Sequence, residues 1–192
     1  VSGADSVPVS KLEAMERQVE VELTAFADIL LDSPCSPGLG NITSLSKAAA
    51  ANSSVCDCLF PTIESYLEAN RALYGSTVTL LGEGDGKAVC SPYVYHLSDG
   101  SAWERTDSLM DASYRIDEQQ WLREAVDTQK AVWSDPYFDE GGGNIEMETY
   151  SVPLIVDGGV VGVATTDLPI SSVARLAGVG VAVAVAALLA IF

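Results

Sequence analysis

Basic residues are scarce in this chain. It has 10 lysines and arginines against 27 aspartates and glutamates, which gives a formal net charge of −17. Such a polyanion repels nucleic-acid phosphates and anionic lipid headgroups, so we expect no nucleic-acid partner. Apolar residues nevertheless make up 48% of the 192 residues, which is enough for one domain with a real core and an appendage.

Histidine is nearly absent, and so are the motifs of common enzymes. His96 is the single histidine, and the chain has no G-x-S-x-G, H-E-x-x-H or phosphate-binding loop. A zinc site would have to draw almost wholly on thiolates. We therefore predict that the chain is not an enzyme and that it holds neither a metal nor a cofactor.

The cysteines include no C-x-x-C pair, since one residue separates Cys56 from Cys58; the other two are Cys35 and Cys90. An even number of cysteines in a domain outside the cytoplasm favours disulfides, and three connectivities are possible. A bridge between Cys56 and Cys58 would be strained. We predict that all four cysteines are oxidised and that one bridge joins the 34–58 region to the strand that holds Cys90.

Two N-x-S/T sequons lie among the cysteines, at Asn41 and Asn52. In a eukaryotic host such triplets mark an exposed loop on the lumenal side of the membrane, where asparagine accepts N-linked glycans. Both asparagines are therefore candidate glycosylation sites.

Helical periodicity is strongest at the N-terminus. Apolar residues recur at steps of three and four over 10–33 and predict one long helix with a single apolar stripe. Prolines, glycines and small residues fill 34–58, which we therefore expect to be a cysteine-containing loop. Further helices are expected over 61–74 and 117–128. The apolar stripe of the first helix consists of Leu12, Met15, Val19, Leu23, Phe26 and Leu30.

Strand signals follow the second helix and dominate the last third of the soluble part. Short β-branched segments separated by glycine-rich turns are typical of antiparallel strands, and Asp157-Gly158-Gly159 predicts a hairpin. Helices followed by strands and hairpins indicate an α+β fold with an antiparallel sheet. The expected strands are 77–81, 88–97 with a break at Pro92, 146–156 and 160–166.

The C-terminal run 176–192 has neither a charge nor a strongly polar group. A membrane-spanning helix needs about 20 apolar residues, with a range of about 17–25. The run has no polar face, which favours a membrane helix at 174–192 over a buried core helix. The chain begins at Val1 and ends inside this run at Phe192, so we expect it to be a piece of a longer protein.

Several short motifs carry a family resemblance: S-P-Y-V-Y at 91–95, W-S-D-P-Y at 133–137, T-Y-S-V-P at 149–153 and G-V-A-T-T-D at 162–167. At these separations they resemble the Cache (PAS-like) sensor domains of bacterial and some eukaryotic membrane receptors, especially those attached to serine phosphatases, histidine kinases and cyclases. The resemblance covers roughly residues 60–170. It implies a PAS-like antiparallel sheet with a long N-terminal helix, followed by a transmembrane helix.

The resemblance suggests how the chain is organised. It divides into a stalk helix at 1–33, the cysteine-containing loop at 34–58, a Cache core at 59–172 and the truncated membrane helix at 174–192. Residues 1–172 are then extracytoplasmic, and the membrane and a second copy of the chain, in a homodimer, are expected partners.

The resemblance also implies a ligand pocket. In amino-acid-binding Cache sensors an aspartate at the position of Asp167 receives the ligand's ammonium, and an arginine two positions before the tryptophan holds its carboxylate. Here Gln119 stands at the arginine position and Leu122 replaces a tyrosine, so Arg115 or Arg123 would have to substitute. The candidate ligand-binding residues are Trp121, Trp133, Tyr137, Tyr150 and Asp167.

Structural roles are open for the same residues. The aromatic side chains can belong to a core, and Asp167 can be the N-cap of a helix that begins at Pro169. The oxygen-rich loop at 135–144 is a candidate for calcium, but we interpret it as a solvated turn. Its oxygen donors are Asp135, Asp139, Glu140 and Asn144.

The predicted function is extracytoplasmic sensing. A small ligand, which is an amino acid, an amine or an organic acid, binds the domain, and the membrane helix carries the signal to a cytoplasmic output domain. The alternative is a membrane-anchored interaction or scaffold module without a ligand, for which we expect a filled, apolar interior.

Overall fold

A computed structural model describes residues 9–35, 41–97 and 102–170. Its helices are α1 (Val9–Asp32), α2 (Ile42–Ala51), α3 (Phe60–Ala69) and α4 (Gln120–Thr128). Its strands are β1 (Gly75–Leu81), β2 (Ala88–Cys90), β3 (Tyr93–His96), β4 (Trp103–Thr106), β5 (Val132–Trp133), β6 (Tyr137–Phe138), β7 (Glu146–Val156) and β8 (Gly159–Pro169).

These strands form one antiparallel sheet in the order β4-β3-β1-β8-β7-β5, with β2 also paired to β1 and β6 to β7. The two central strands are β1 and β8, and β8 follows β7 in a hairpin that turns at Asp157 and Gly158, as the sequence predicts. Both turn residues have positive φ, 51° and 80° respectively. The predicted α+β, antiparallel architecture with a long N-terminal helix is confirmed.

The sheet separates two hydrophobic cores. Helices α1, α2 and α3 cover one face, and α4 with the short helical turns at 108–110 and 116–118 covers the other. Side chains alternate between the faces along a strand. On β8, Ala164 and Leu168 therefore lie on the α1 side, whereas Val163 and Asp167 lie on the α4 side.

The apolar stripe of α1 packs against the sheet as predicted. Val19, Leu23, Phe26 and Leu30 are all buried, and Phe26 stacks on Tyr66 of α3 with ring centroids 4.5 Å apart. The side chain of Leu12 lies outside the described residues. Burial of this stripe against the sheet is what stabilises a helix of 24 residues whose opposite face is charged.

The expected loop at 34–58 is wrong in its central part, which forms α2 and a 3₁₀ segment at Ser53–Leu59. Alanines at 48–51 are the best helix formers, and a run of small residues therefore does not by itself indicate a loop. Asn41 caps α2 by accepting a hydrogen bond from the Ser44 backbone N–H at 3.1 Å. Burial of Ile42 and Leu45 against the core completes the helix.

Two disulfides fasten this segment to the domain. Cys35 is bonded to Cys58, and Cys56 to Cys90 at the end of β2. The predicted oxidation and the predicted bridge to Cys90 are confirmed, and the strained Cys56–Cys58 bridge does not form. Cys56 and Cys90 are 2% and 3% exposed, so their bridge belongs to the core beneath the helical layer.

Both sequon asparagines are exposed and cap helical segments through their side-chain oxygens. Asn52 accepts a hydrogen bond from the Ser54 N–H at 3.2 Å, as Asn41 does from Ser44. A glycan attaches to the amide nitrogen and leaves that oxygen in place. Glycosylation of Asn41 and Asn52 stays a prediction.

The predicted membrane helix at 174–192 lies outside the described residues. Among the helices of the described part, none combines the length and the apolar composition that crossing a bilayer requires.

Candidate carboxylate pocket

Asp167 lies in the centre of the sheet and is only 3% exposed. On the adjacent β7 strand, Thr149 stands directly opposite and donates its hydroxyl to Oδ1 at 2.8 Å. The Tyr93 hydroxyl, from β3, donates to Oδ2 at 2.8 Å. The suggested N-cap role of Asp167 is therefore wrong, because both carboxylate oxygens bind hydroxyls within the sheet and β8 continues to Pro169.

A second buried carboxylate, Asp139, follows β6 and is 2% exposed. Tyr114 donates its hydroxyl to Oδ1 at 2.6 Å, and the Gly143 N–H donates to Oδ2 at 2.5 Å. The prediction that Asp139 lies in a solvated turn is therefore wrong, because its side chain is buried. Asp135, Glu140 and Asn144 are exposed, and no group of three metal-binding side chains converges anywhere in the described residues.

Burial and mutual repulsion raise the pKa of both carboxyl groups. Desolvation is the larger cause at Asp167, and the nearby charge of Asp139 adds to it, so the pKa of Asp167 rises to about 7. At Asp139 desolvation also raises the pKa, while the hydrogen bonds from Tyr114 and Gly143 oppose the shift. Titratable groups perturbed in this way, by burial together with a charged neighbour, are typical of functional sites.

Three tyrosines complete the polar wall as neutral hydrogen-bond donors. Burial raises the pKa of Tyr93, Tyr114 and Tyr137, and the two carboxylates raise it further. Because the hydroxyl hydrogen of Thr149 goes to Asp167, the Tyr137 hydroxyl donates to Thr149 Oγ1 at 2.9 Å. The phenols thus face the site with fixed orientations.

These groups enclose a cavity of about 10 Å³ between the sheet and α4. This volume is close to the minimum of roughly 10–15 Å³ that one water-sized group needs. No lysine, arginine or histidine is among the described residues that line it. The remaining walls are Thr77, Leu109, Trp121, Met147 and Thr165. Hereafter we call this cavity the carboxylate pocket.

The predicted ligand-binding residues divide between the two faces of the sheet. Trp121, Tyr137 and Asp167 line the carboxylate pocket. Trp133 and Tyr150 pack on each other on the opposite face, with ring centroids 4.9 Å apart, so their expected convergence with the other three is wrong. Tyr150 lies opposite Thr166 rather than Asp167 in the β7–β8 register and therefore points away from the pocket.

The Trp133 indole confirms this orientation. Its Nε1–H donates to Glu20 on α1 at 3.1 Å, which places the ring against the helical layer. The residues of the pocket that sequence reasoning missed are Tyr93, Tyr114, Asp139 and Thr149. Thr149 could have been found from the sequence, because the predicted β7–β8 hairpin pairs it directly with Asp167.

The loop after Asp139 depends on glycines. A Cβ on Gly142 would lie 2.1 Å from Asp139 Oδ2, and one on Gly143 would lie 2.7 Å from Tyr74 Cε1 and 3.1 Å from the Tyr93 hydroxyl. The Tyr74 hydroxyl donates to the Gly143 carbonyl at 2.8 Å, while its backbone N–H donates to the Asp167 carbonyl at 2.9 Å. Tyr74 therefore connects the Asp139 loop to β8.

We expect Gly143→Ala to damage this pocket. The added methyl forces Tyr74, Tyr93 or the loop to move, and such overpacking costs about 1–3 kcal/mol of stability. Chemical denaturation measures this loss. Gly159→Ala is the matched control, because the nearest atom to its Cβ is the Val156 carbonyl oxygen at an ordinary 3.7 Å. Equal stabilities of the two variants would contradict the close approach of Gly143 to the pocket.

This fold and this pocket define the chain as a sensor domain of the Cache type, and the predicted resemblance is confirmed. A sequence profile described as the first PDC sensor domain of methyl-accepting chemotaxis protein-like receptors matches residues 59–175. The chain therefore belongs to this family of PDC sensor domains. No curated protein matches it.

Solved structures share the fold. The extracellular domain of soHK1S-Z6, assigned as a histidine kinase, is 24% identical with a TM-score of 0.68, over 91% of this chain and 61% of its own. The sensory domain of the Campylobacter jejuni chemoreceptor Tlp3 (CcmL), solved with isoleucine bound, is 19% identical with a TM-score of 0.59, over 91% of this chain and 60% of its own. The chain thus spans about three fifths of the length of these domains.

Proposed function

We propose that this chain is the extracytoplasmic sensing domain of a membrane receptor and that it recognises a small ligand through an ammonium group in the carboxylate pocket. The observation that carries the proposal is the pair of buried carboxylates, Asp139 and Asp167, with no cation among the described residues that line the pocket. A buried carboxylate is costly unless a positive partner compensates it. An ammonium is water-sized and matches the volume of the pocket.

The surrounding hydroxyls support a cationic guest. An ammonium offers three donors, and the pocket offers carboxylate oxygens together with threonine and tyrosine oxygens that can accept them. The sensory domain of Tlp3 has been solved with isoleucine, with L-valine and with L-norvaline, which all carry an ammonium. For an interaction module without a ligand we would expect an apolar interior instead. The polar lining of this pocket disfavours that alternative.

The compartment and the signalling role are part of the proposal. Two disulfides favour an oxidising, extracytoplasmic environment. The apolar run at 176–192 suits a membrane helix that leads to a cytoplasmic output domain. Ligand binding shifts a receptor between two states only if the ligand has different affinities for them. Dimerisation in the membrane would provide the second copy that such a shift acts on.

Matched compounds test the ligand class. The full chain in detergent is titrated by calorimetry with each proteinogenic L-amino acid, with the amine left when its carboxyl group is removed, and with the acid left when its amino group is removed. L-Valine, isobutylamine and isovalerate form one such set. We expect compounds with an ammonium to bind about ten- to a hundredfold more tightly than the acids, because each ammonium makes one charge-assisted contact that the acids lack. Equal or tighter binding of the acids, or no binding by any compound, would overturn the proposal.

A further inference from the structure

The carboxylate pocket is enclosed by side chains that are themselves buried. Its walls come from the sheet, through Thr77, Met147 and Thr165, and from the layer that covers the sheet, through Leu109 and Trp121. All five are buried, and protein interiors are packed as densely as organic crystals. With a free volume of about 10 Å³, the pocket therefore accepts one water-sized group and nothing larger.

One side of the pocket leads outward. A second cavity, with a volume of about 350 Å³, shares the walls Tyr114 and Asp139 with the carboxylate pocket. The other residues that line it belong to the segments 113–119 and 138–140, and most of them are exposed. Within the described part of the chain, a guest of the pocket therefore has this one direction in which a carbon skeleton can extend.

The tyrosines of the pocket engage it through their hydroxyl groups. Tyr93 donates to Asp167, Tyr114 to Asp139, and Tyr137 to a threonine between them. A site for a quaternary ammonium instead surrounds the cation with aromatic ring faces, because such a cation has no N–H to donate. The charged and polar atoms of this pocket are hydrogen-bond acceptors, which suit a cation that donates hydrogen bonds.

We infer that the carboxylate pocket selects a primary ammonium and rejects its N-methylated and quaternary forms, and that Leu109, Trp121 and Met147 enforce this choice. The inference rests on the proposed function and narrows its ligand class to compounds with a primary amino group. A primary ammonium directs its single substituent past Tyr114 and Asp139 and its three N–H donors toward the acceptors of the pocket. Each added methyl group replaces one donor and has to occupy space that the buried walls already fill.

Methylation weakens binding through two causes that act in the same direction. A missing N–H leaves a carboxylate or hydroxyl oxygen buried without its hydrogen-bond partner. A methyl group that presses on Leu109, Trp121 or Met147 overpacks a core in which these side chains have little freedom to relax. We therefore expect each methyl group to weaken binding by about tenfold or more.

A methylation series on the full chain in detergent tests the selectivity. Calorimetry compares each proteinogenic L-amino acid that has a primary amino group, and the amine left when its carboxyl group is removed, with their N-methyl, N,N-dimethyl and N,N,N-trimethyl forms. Isobutylamine and its three methylated derivatives form one such series. Affinity should fall at every step. Equal affinities along the series, or tighter binding of the trimethylated compounds, would refute the selectivity while the ammonium pocket stands. Absence of binding by every compound would refute the proposed function and the selectivity together.

Two methionine variants locate the wall that excludes the methyl group. Met147→Ala leaves a cavity inside the pocket, so it should recover most of the roughly tenfold loss caused by the first methyl group. Met110→Ala is the matched control, because Met110 packs on the hydrophobic cluster of the α4 side without lining the pocket. It should leave the ratio of the two affinities unchanged. The same ratio in both variants would contradict steric exclusion by this wall, and if Met147→Ala unfolds the domain, the methylation series of the unmodified chain decides.

Discussion

Asp167→Asn is expected to weaken binding of an ammonium ligand by about ten- to a hundredfold, because a charge-assisted hydrogen bond contributes about 1.5–3 kcal/mol. The substitution keeps the shape of the side chain and removes its charge. Its amide oxygen still accepts from Tyr93 or Thr149, and the amide N–H pairs with the other hydroxyl. The folded domain should therefore tolerate the change. Calorimetric titration with the tightest ammonium compound measures the loss, and unchanged affinity would make Asp167 a purely structural residue.

The same variant has a pH signature. The pKa of Asp167 is 3.8 in the unfolded reference and about 7 in the folded domain. The folded state thus holds the proton more tightly, and the stability contributed by this group is complete below about pH 4 and lost as the pH rises to about 7. Asp167→Asn should therefore gain stability relative to the unmodified chain between about pH 4.5 and pH 7.5 in urea unfolding. A stability difference that does not change with pH would contradict the raised pKa.

Ligand affinity should follow the opposite trend. An ammonium binds the ionised carboxylate and competes with its proton, so affinity rises as the pH increases through about 7. The net charge of −17 also destabilises the folded chain at high pH, but it acts on both proteins alike. Comparison of Asp167→Asn with the unmodified chain isolates the contribution of the pocket.

Removal of the Cys56–Cys90 disulfide is expected to have the largest effect on stability. This bridge closes a loop of 34 residues and lies in the core. Loss of such a native disulfide typically costs about 2–5 kcal/mol. A double substitution of both cysteines by serine should therefore lower the melting temperature by roughly 4–20 °C. Differential scanning calorimetry of the full chain in detergent, with and without the substitutions, measures the shift.

The Cys35–Cys58 bridge provides the comparison, because it closes a shorter loop of 23 residues. Its removal should cost slightly less on entropic grounds, since the loop term grows only with the logarithm of loop length. Neither change should alter ligand affinity below the melting temperature, as both bridges lie outside the carboxylate pocket. A melting temperature unaffected by complete reduction would show that the helical layer holds without these bridges.

The parts of the fold that were predictable are those with a strong local period. The stripe of α1 and the β7–β8 hairpin repeat their signals over many residues, so the sequence indicates both the element and the buried face. The α2 helix was not predictable from its short alanine-rich run, because a cap at Asn41 and burial of Ile42 and Leu45 decide it. The cap is a local hydrogen bond, whereas the burial depends on tertiary contacts.

The pocket was only partly predictable for a related reason. An aspartate beside three glycines has the composition of an exposed turn, and its burial follows from the close wrapping of Gly142 and Gly143 around Asp139. The aromatic residues were assigned by type, whereas their side of the sheet depends on register. Tyr150 and Thr149 differ by one position, and this difference places them on opposite faces.

The two faces of β8 connect the carboxylate pocket to α1 over a short distance. Asp167 contacts the pocket, and Leu168, the next residue, lies on the opposite side in a groove formed with Met15 and Val19 of α1. The thickness of a single strand therefore separates the Asp167 carboxyl group from the helix that is expected to run toward the membrane. Any movement of the Asp167 backbone is also a movement of Leu168 against α1. Under the proposed function, a ligand that displaces Asp167 would therefore displace α1 through this single strand.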